Sequence, residues 1–215
     1  DVPLLETVFT PLAVLGEMVE EPGELRLHLR THPHAVEGAL QAITQTFEPY
    51  VRELLRAGAD GIYFATVDWA SRDLLSPDEY QRWGRPHDLR LMSAAADAPF
   101  NVLHVCKRRN LLLDLADYPV HAFSWAATDP LNPAFADALP RLKGAVMGGI
   151  SHDDALAHHD PTRAAGEYRR ALDATRGRRF LAAPGCSIPP ATPAAHLNAV
   201  REAVLSTPMP EDHSS

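Results

Sequence analysis

His104 and Cys106 stand two positions apart in "FNVLHVCKRRN" (100–110), at the end of an apolar run. The chain has 2 cysteines, and the second, Cys186, lies in "FLAAPGCSIPP" (180–190), again just past an apolar run. On a strand, residues i and i+2 share a face, so His104 and Cys106 can converge on one point at a strand end. One imidazole nitrogen and two thiolates suit zinc, and three protein ligands leave the fourth position open, the mark of a catalytic site. Two readings stay open on spacing alone. Either the three hold one metal ion, or they are separate core residues with inert thiols.

Other polar residues follow apolar runs in the same way. Asp68 and Asp73 come after "GIYFATV" and are candidates for substrate contact; the plainer reading is a helix cap. His152, Asp153 and Asp154 follow "AVMGGI", with a solvated loop as the plainer reading. Gly148-Gly149 points to a tight turn or a close backbone approach. It lacks the G-x-G-x-x-G context of a dinucleotide site. His121 and His158-His159 have no partner legible in the sequence. There is no G-x-S-x-G elbow and no P-loop, so hydrolase and NTPase chemistry has no support.

Six apolar runs must position these residues: 5–12, 60–66, 100–106, 120–126, 144–150 and 178–184. Between them lie stretches of helical spacing. Over 35–58, Ala39, Ile43, Phe47, Val51, Leu54 and Leu55 fall on one face, with Gly58 as a stop. Ser76, Pro77 and Glu79 form a capping-box pattern, and Asp160-Pro161 and Thr192-Pro193 begin helices in the same manner. Strand–helix alternation means a parallel sheet with covering helices. Six repeats with continuously apolar strands predict an α/β fold, a partial (β/α)8 TIM barrel with six βα units. The expected domain is 1–205, with 206–215 a polar C-terminal tail. A complete barrel has eight units, so two strand edges stay open for a partner, a swapped homodimer, or strands encoded further upstream.

The formal charge of −8 supplies no basic stripe for nucleic acid. No window approaches the ~20 apolar residues of a membrane span. The acidic start lacks a basic n-region and argues against a secretory signal, leaving a reducing, cytoplasmic setting as the expectation.

In combination, "FTPLAVLGEMVEE", "AGADGIYFA", "SPDEYQRWGRPHD", "NVLHVC", "VMGGI" and "AAPGCSIPPATPAAHLNAVREAV" resemble the uroporphyrinogen decarboxylase superfamily, with its N-terminal third missing. The resemblance is nearer to the zinc-dependent, corrinoid-linked methyltransferase branch. That branch is marked by H-x-C and a distant cysteine in a Gly-Cys-x-x-Pro context, matched here by His104, Cys106 and Cys186. It implies one Zn2+ per chain on those residues, a small thiol substrate, and a corrinoid protein as partner. In the decarboxylase branch a functional tyrosine stands where this chain has Glu17, and a Gly-His pair where it has Gly185-Cys186. Glu17 and Asp68 are therefore the candidate catalytic residues beside the metal set. The alternatives are a carboxy-lyase of porphyrin biosynthesis and an inactive barrel fragment. One departure from the branch is Lys107, where a glycine usually follows the H-x-C cysteine.

Overall fold

The computed structural model describes residues 2–157 and 160–207. The chain forms six parallel strands in the order β1-β2-β3-β4-β5-β6, alternating with helices, as in part of a (β/α)8 barrel. Its contacts divide it into two compact units, residues 1–123 and 124–215. None of the described helices is long and apolar enough to cross a membrane.

The first unit begins with β1 (Leu5–Phe9), followed by α1 (Pro11–Gly16), α2 (Pro22–Thr31), α3 (Pro33–Arg56) and β2 (Gly61–Ala65). After β2 come α4 (Pro77–Trp83), α5 (Arg85–Ala94), β3 (Val102–His104) and a 3-10 turn at Leu112–Leu115; β4 (Ala122–Ser124) straddles the boundary between the units. Ile62, Phe64, Val102 and Leu103 are buried, as strands covered on both faces require. Register puts Phe9 beside Ala65 and Ala65 beside His104. Those three side chains therefore lie level and on one face of the sheet.

Along α3, Val36, Leu40, Ile43 and Val51 are buried at helical spacing, and Gly58, at φ +105°, supplies the stop. The capping box forms: Ser76 Oγ accepts from the Glu79 N–H at 3.2 Å, and Glu79 Oε2 from the Ser76 N–H at 2.8 Å. Buried Asn101 sets β3 in place. Its Oδ1 accepts from the Ile62 N–H at 3.0 Å and its Nδ2 donates to the Ala95 carbonyl at 2.8 Å. His121 closes this clamp, because its Nδ1 accepts from the Asn101 N–H at 2.8 Å.

In the second unit, α6 (Phe135–Ala138), β5 (Ala145–Ile150), α7 (Thr162–Thr175), β6 (Phe180–Pro184) and α8 (Ala194–Leu205) follow in turn. Ala164, Ala165 and Tyr168 of α7 bury against Ile150, Leu156 and Ala203. The two glycines of β5 reflect close packing. A Cβ on Gly148 would stand 2.7 Å from the Trp125 carbonyl oxygen, and one on Gly149 2.5 Å from the Ala171 Cβ. The caps of α7 and α8 fall on Pro161 and Pro193, without a side-chain cap bond, one residue later than Asp160 and Thr192. Asp160 still serves, accepting from the Thr162 N–H at 2.9 Å. His158-His159 and residues 208–215, most of the expected tail, lie outside the described residues.

Candidate metal centre

His104 is the last residue of β3 and is buried. Its ring stacks on Tyr63, with centroids 5.3 Å apart and planes 26° from parallel, so the imidazole has little freedom to turn. Thr66, just past β2, donates to the His104 carbonyl from its N–H at 3.0 Å and from Oγ1 at 3.3 Å. These bonds fasten two neighbouring strand ends where the histidine leaves the sheet.

Cys106 begins a loop that the chain pins at several points. Buried Asn110 spans it, donating from Nδ2 to the Val105 carbonyl at 3.3 Å. Ser71 Oγ donates to the Arg108 carbonyl at 2.8 Å, the Arg72 N–H to the Arg109 carbonyl at 3.0 Å, and the Leu111 N–H to the Ala70 carbonyl at 2.9 Å. Lys107 and Arg109 adopt φ of +65° and +51°. Glycine enters that left-handed region without penalty, and a side chain there costs about 1–2 kcal/mol. The loop thus keeps at Lys107 the backbone shape that a glycine would supply. The Lys107 ammonium turns to Asp68 Oδ1 at 2.8 Å, and Arg109 to Asp73 at 3.2 Å.

Cys186 follows β6. The Gly185 N–H donates to the Ile150 carbonyl at 2.8 Å, carrying the β5–β6 pairing one residue further. A Cβ at Gly185 would stand 2.6 Å from the Ala126 Cα, so the chain can leave the sheet here only through glycine. Cys106 and Cys186 are both half-buried. One ligand atom each from His104, Cys106 and Cys186 lie within 4.8 Å of one another, a group that could hold a metal ion.

Glu17 and Asp68 are not in that group. Glu17 caps the C-terminus of α1, its N–H donating to the Ala13 carbonyl at 3.1 Å. Its side chain lines a cavity of about 500 Å3 with Phe9, Ala13, Val14, Met18 and Val67. Asp68 is engaged by Lys107, as above. Asp154 pairs with Arg163 at 2.6 Å and Asp153 is exposed, in keeping with a solvated loop.

The sequence did not announce one polar cluster. Asp88, fully buried in α5, accepts hydrogen bonds from the hydroxyls of Tyr80 at 2.8 Å and Tyr118 at 2.9 Å. Burial pushes its carboxyl up to about 7, against the pull of the two tyrosines and of Arg85. The partners lie 8 and 30 residues away on other elements, so no local spacing could signal them.

Residues 1–206 match the model of the family described as uroporphyrinogen decarboxylase (URO-D). The chain belongs to the URO-D family. Among family relatives, a methylcobamide:CoM methyltransferase of Methanosarcina barkeri is 27% identical over 206 residues, covering 93% of this chain and 57% of that protein. A uroporphyrinogen decarboxylase of Syntrophotalea carbinolica is 30% identical over 185 residues, 82% of this chain and 51% of its own length. The solved structure of a methyltransferase from Methanosarcina mazei superposes with a TM-score of 0.78 at 25% identity, over 94% of this chain and 58% of that one. The chain thus spans between half and three-fifths of the length of these URO-D-family relatives. They include both a methyltransferase and a decarboxylase.

Proposed function

We propose that this chain holds one zinc ion on His104, Cys106 and Cys186 and serves the transfer of a methyl group to a thiol. The observation that carries the reading is the grouping of those three ligand atoms within 4.8 Å. Ligands on one tetrahedral zinc stand roughly 3.6–3.8 Å apart, a spacing that falls inside that bound. The donor set fits as well, since imidazole and thiolate suit zinc where carboxylates and carbonyls would suit magnesium or calcium. Likeness to two methyltransferases adds support.

Zinc bound there would supply Lewis acidity, lowering the pKa of a thiol so that it reacts as a thiolate. The chain's own residues supply position. Tyr63 and the Thr66 bonds hold His104 in one orientation; Asn110 and Ser71 fix the loop that carries Cys106. In the reaction the thiol sulfur forms a bond to the methyl carbon. The bond from that carbon to its donor breaks with its electron pair left on the donor, and the thiol proton passes to solvent. A methyl-corrinoid carried on a partner protein is the donor that the H-x-C…C pattern suggests.

A carboxy-lyase acting on a porphyrinogen is the second reading, favoured by the 30% identity to the Syntrophotalea decarboxylase. Glu17 and Cys186, where that branch has tyrosine and histidine, weigh against it. One experiment separates the two. Zinc-loaded and zinc-stripped protein are each assayed for thiol methylation from methylcobalamin and for porphyrinogen decarboxylation. Zinc-dependent thioether formation supports methyl transfer, and decarboxylation surviving zinc removal supports the carboxy-lyase.

A further inference from the structure

The cavity beside Glu17 sits at the same end of the sheet as His104. Phe9, in its wall, is level with His104 and on the same face, two strands away through Ala65. Two strand spacings amount to about 10 Å, the reach of a small extended molecule. At about 500 Å3 the cavity falls within the range of ligand sites. Its wall is Phe9, Ala13, Val14, Met18 and Val67, with Glu17 as the charged member. Phe9 and Met18 are 46% and 66% exposed, apolar surface that a ligand would cover with gain.

Two of the three cations on the neighbouring loop are matched by carboxylates. Lys107 is matched by Asp68 and Arg109 by Asp73. The carboxylate of Glu17 is the charge that a molecule filling the cavity meets.

Resting on the zinc–thiol reading above, we propose that this cavity seats the body of the thiol acceptor and selects its charge. The acceptor is apolar along its length, with a cationic far end that meets Glu17. Glu17 is a specificity-determining residue, and anionic thiols of the same length are rejected.

The test is isothermal titration of the zinc-loaded full chain with three thiols of one length: aminohexanethiol, hydroxyhexanethiol and mercaptohexanoate. The ammonium thiol should bind about tenfold tighter than the carboxylate, with the hydroxyl between, as one exposed charge attracting one ligand and repelling the other allows. In Glu17→Gln the spread should fall below about twofold, and in Glu17→Lys the order should reverse. Shortening the chain to aminoethanethiol should weaken binding at least tenfold, because four methylenes leave the apolar wall. Equal or tighter binding of the carboxylate, or an unchanged order in Glu17→Lys, would overturn the inference while the zinc–thiol reading stands. If zinc is held and no thiol of any charge binds, both fall.

Discussion

At the scale of single residues, the candidate centre depends on side chains that are fixed before any ligand arrives. His104 is held by Tyr63 on its ring and by Thr66 on its carbonyl. Lys107 is the residue at which the chain departs from the related pattern, and its φ of +65° gives the reason glycine is common there. Lys107→Gly should relieve that strain and stabilise the fold by up to about 1 kcal/mol, offset in part by the lost ion pair with Asp68. Thermal denaturation reads the gain, and zinc content should not change; a destabilised or zinc-free variant would show that the lysine is itself needed. Asp88 allows a second prediction. Burial raises its folded-state pKa to about 7, above the ordinary 3.8 of an aspartate. A raised carboxyl contributes stability that is fully present below about 4 and lost as pH climbs to about 7, on the order of 4 kcal/mol across the window. Asp88→Asn should flatten that slope in denaturant midpoints measured between pH 4 and 8. An unchanged slope would mean that Asp88 does not carry it.

At the scale of elements, the six apolar runs correspond to the six strands, and the helix expected over 35–58 forms at Pro33–Arg56. Period and capping chemistry were sufficient there, because burial on one face repeats along each element. Loss of the capping box in Ser76→Ala should cost about 1 kcal/mol, read as a shift in the unfolding midpoint. Gly149→Ala should cost about 2–4 kcal/mol, since the added Cβ meets Ala171 and the backbone stands at φ +93°. An unperturbed midpoint in either variant would remove the role given to that residue. What the sequence hid has local causes. The apolar run at 5–12 is a strand only to Phe9, and Pro11 opens α1, a helix of 6 residues that Glu17 ends. The stretch from Ser76 divides into α4 and α5 at Gly84. Pro86 has no N–H to offer the Arg82 carbonyl, and the Tyr80 ring stands 2.8 Å from where a Gly84 Cβ would lie. The Asp88 cluster escaped because its partners come together only on folding.

At the scale of the whole molecule, the fold class and the URO-D family were both legible, because ordered motifs run along most of the chain and the family match covers residues 1–206. His104, Cys106 and Cys186 could be read from the sequence as one candidate set because parallel strands send all their C-terminal ends to one side. Choice of reaction was less legible. Relatives at 27% and 30% identity carry two different activities, and the sequence resemblance sets only Glu17 and Cys186 between them. The metal decides between those activities more directly than any rate does. The central measurement is therefore the zinc content of purified wild-type chain and of Cys186→Ala, by elemental mass spectrometry after dialysis against a weak chelator. Circular dichroism would confirm that both are folded. We predict about one zinc per wild-type chain and almost none in the variant, because two remaining ligands hold zinc poorly against water. A folded wild-type chain that takes up no zinc, or a Cys186→Ala variant that keeps it, would contradict the account.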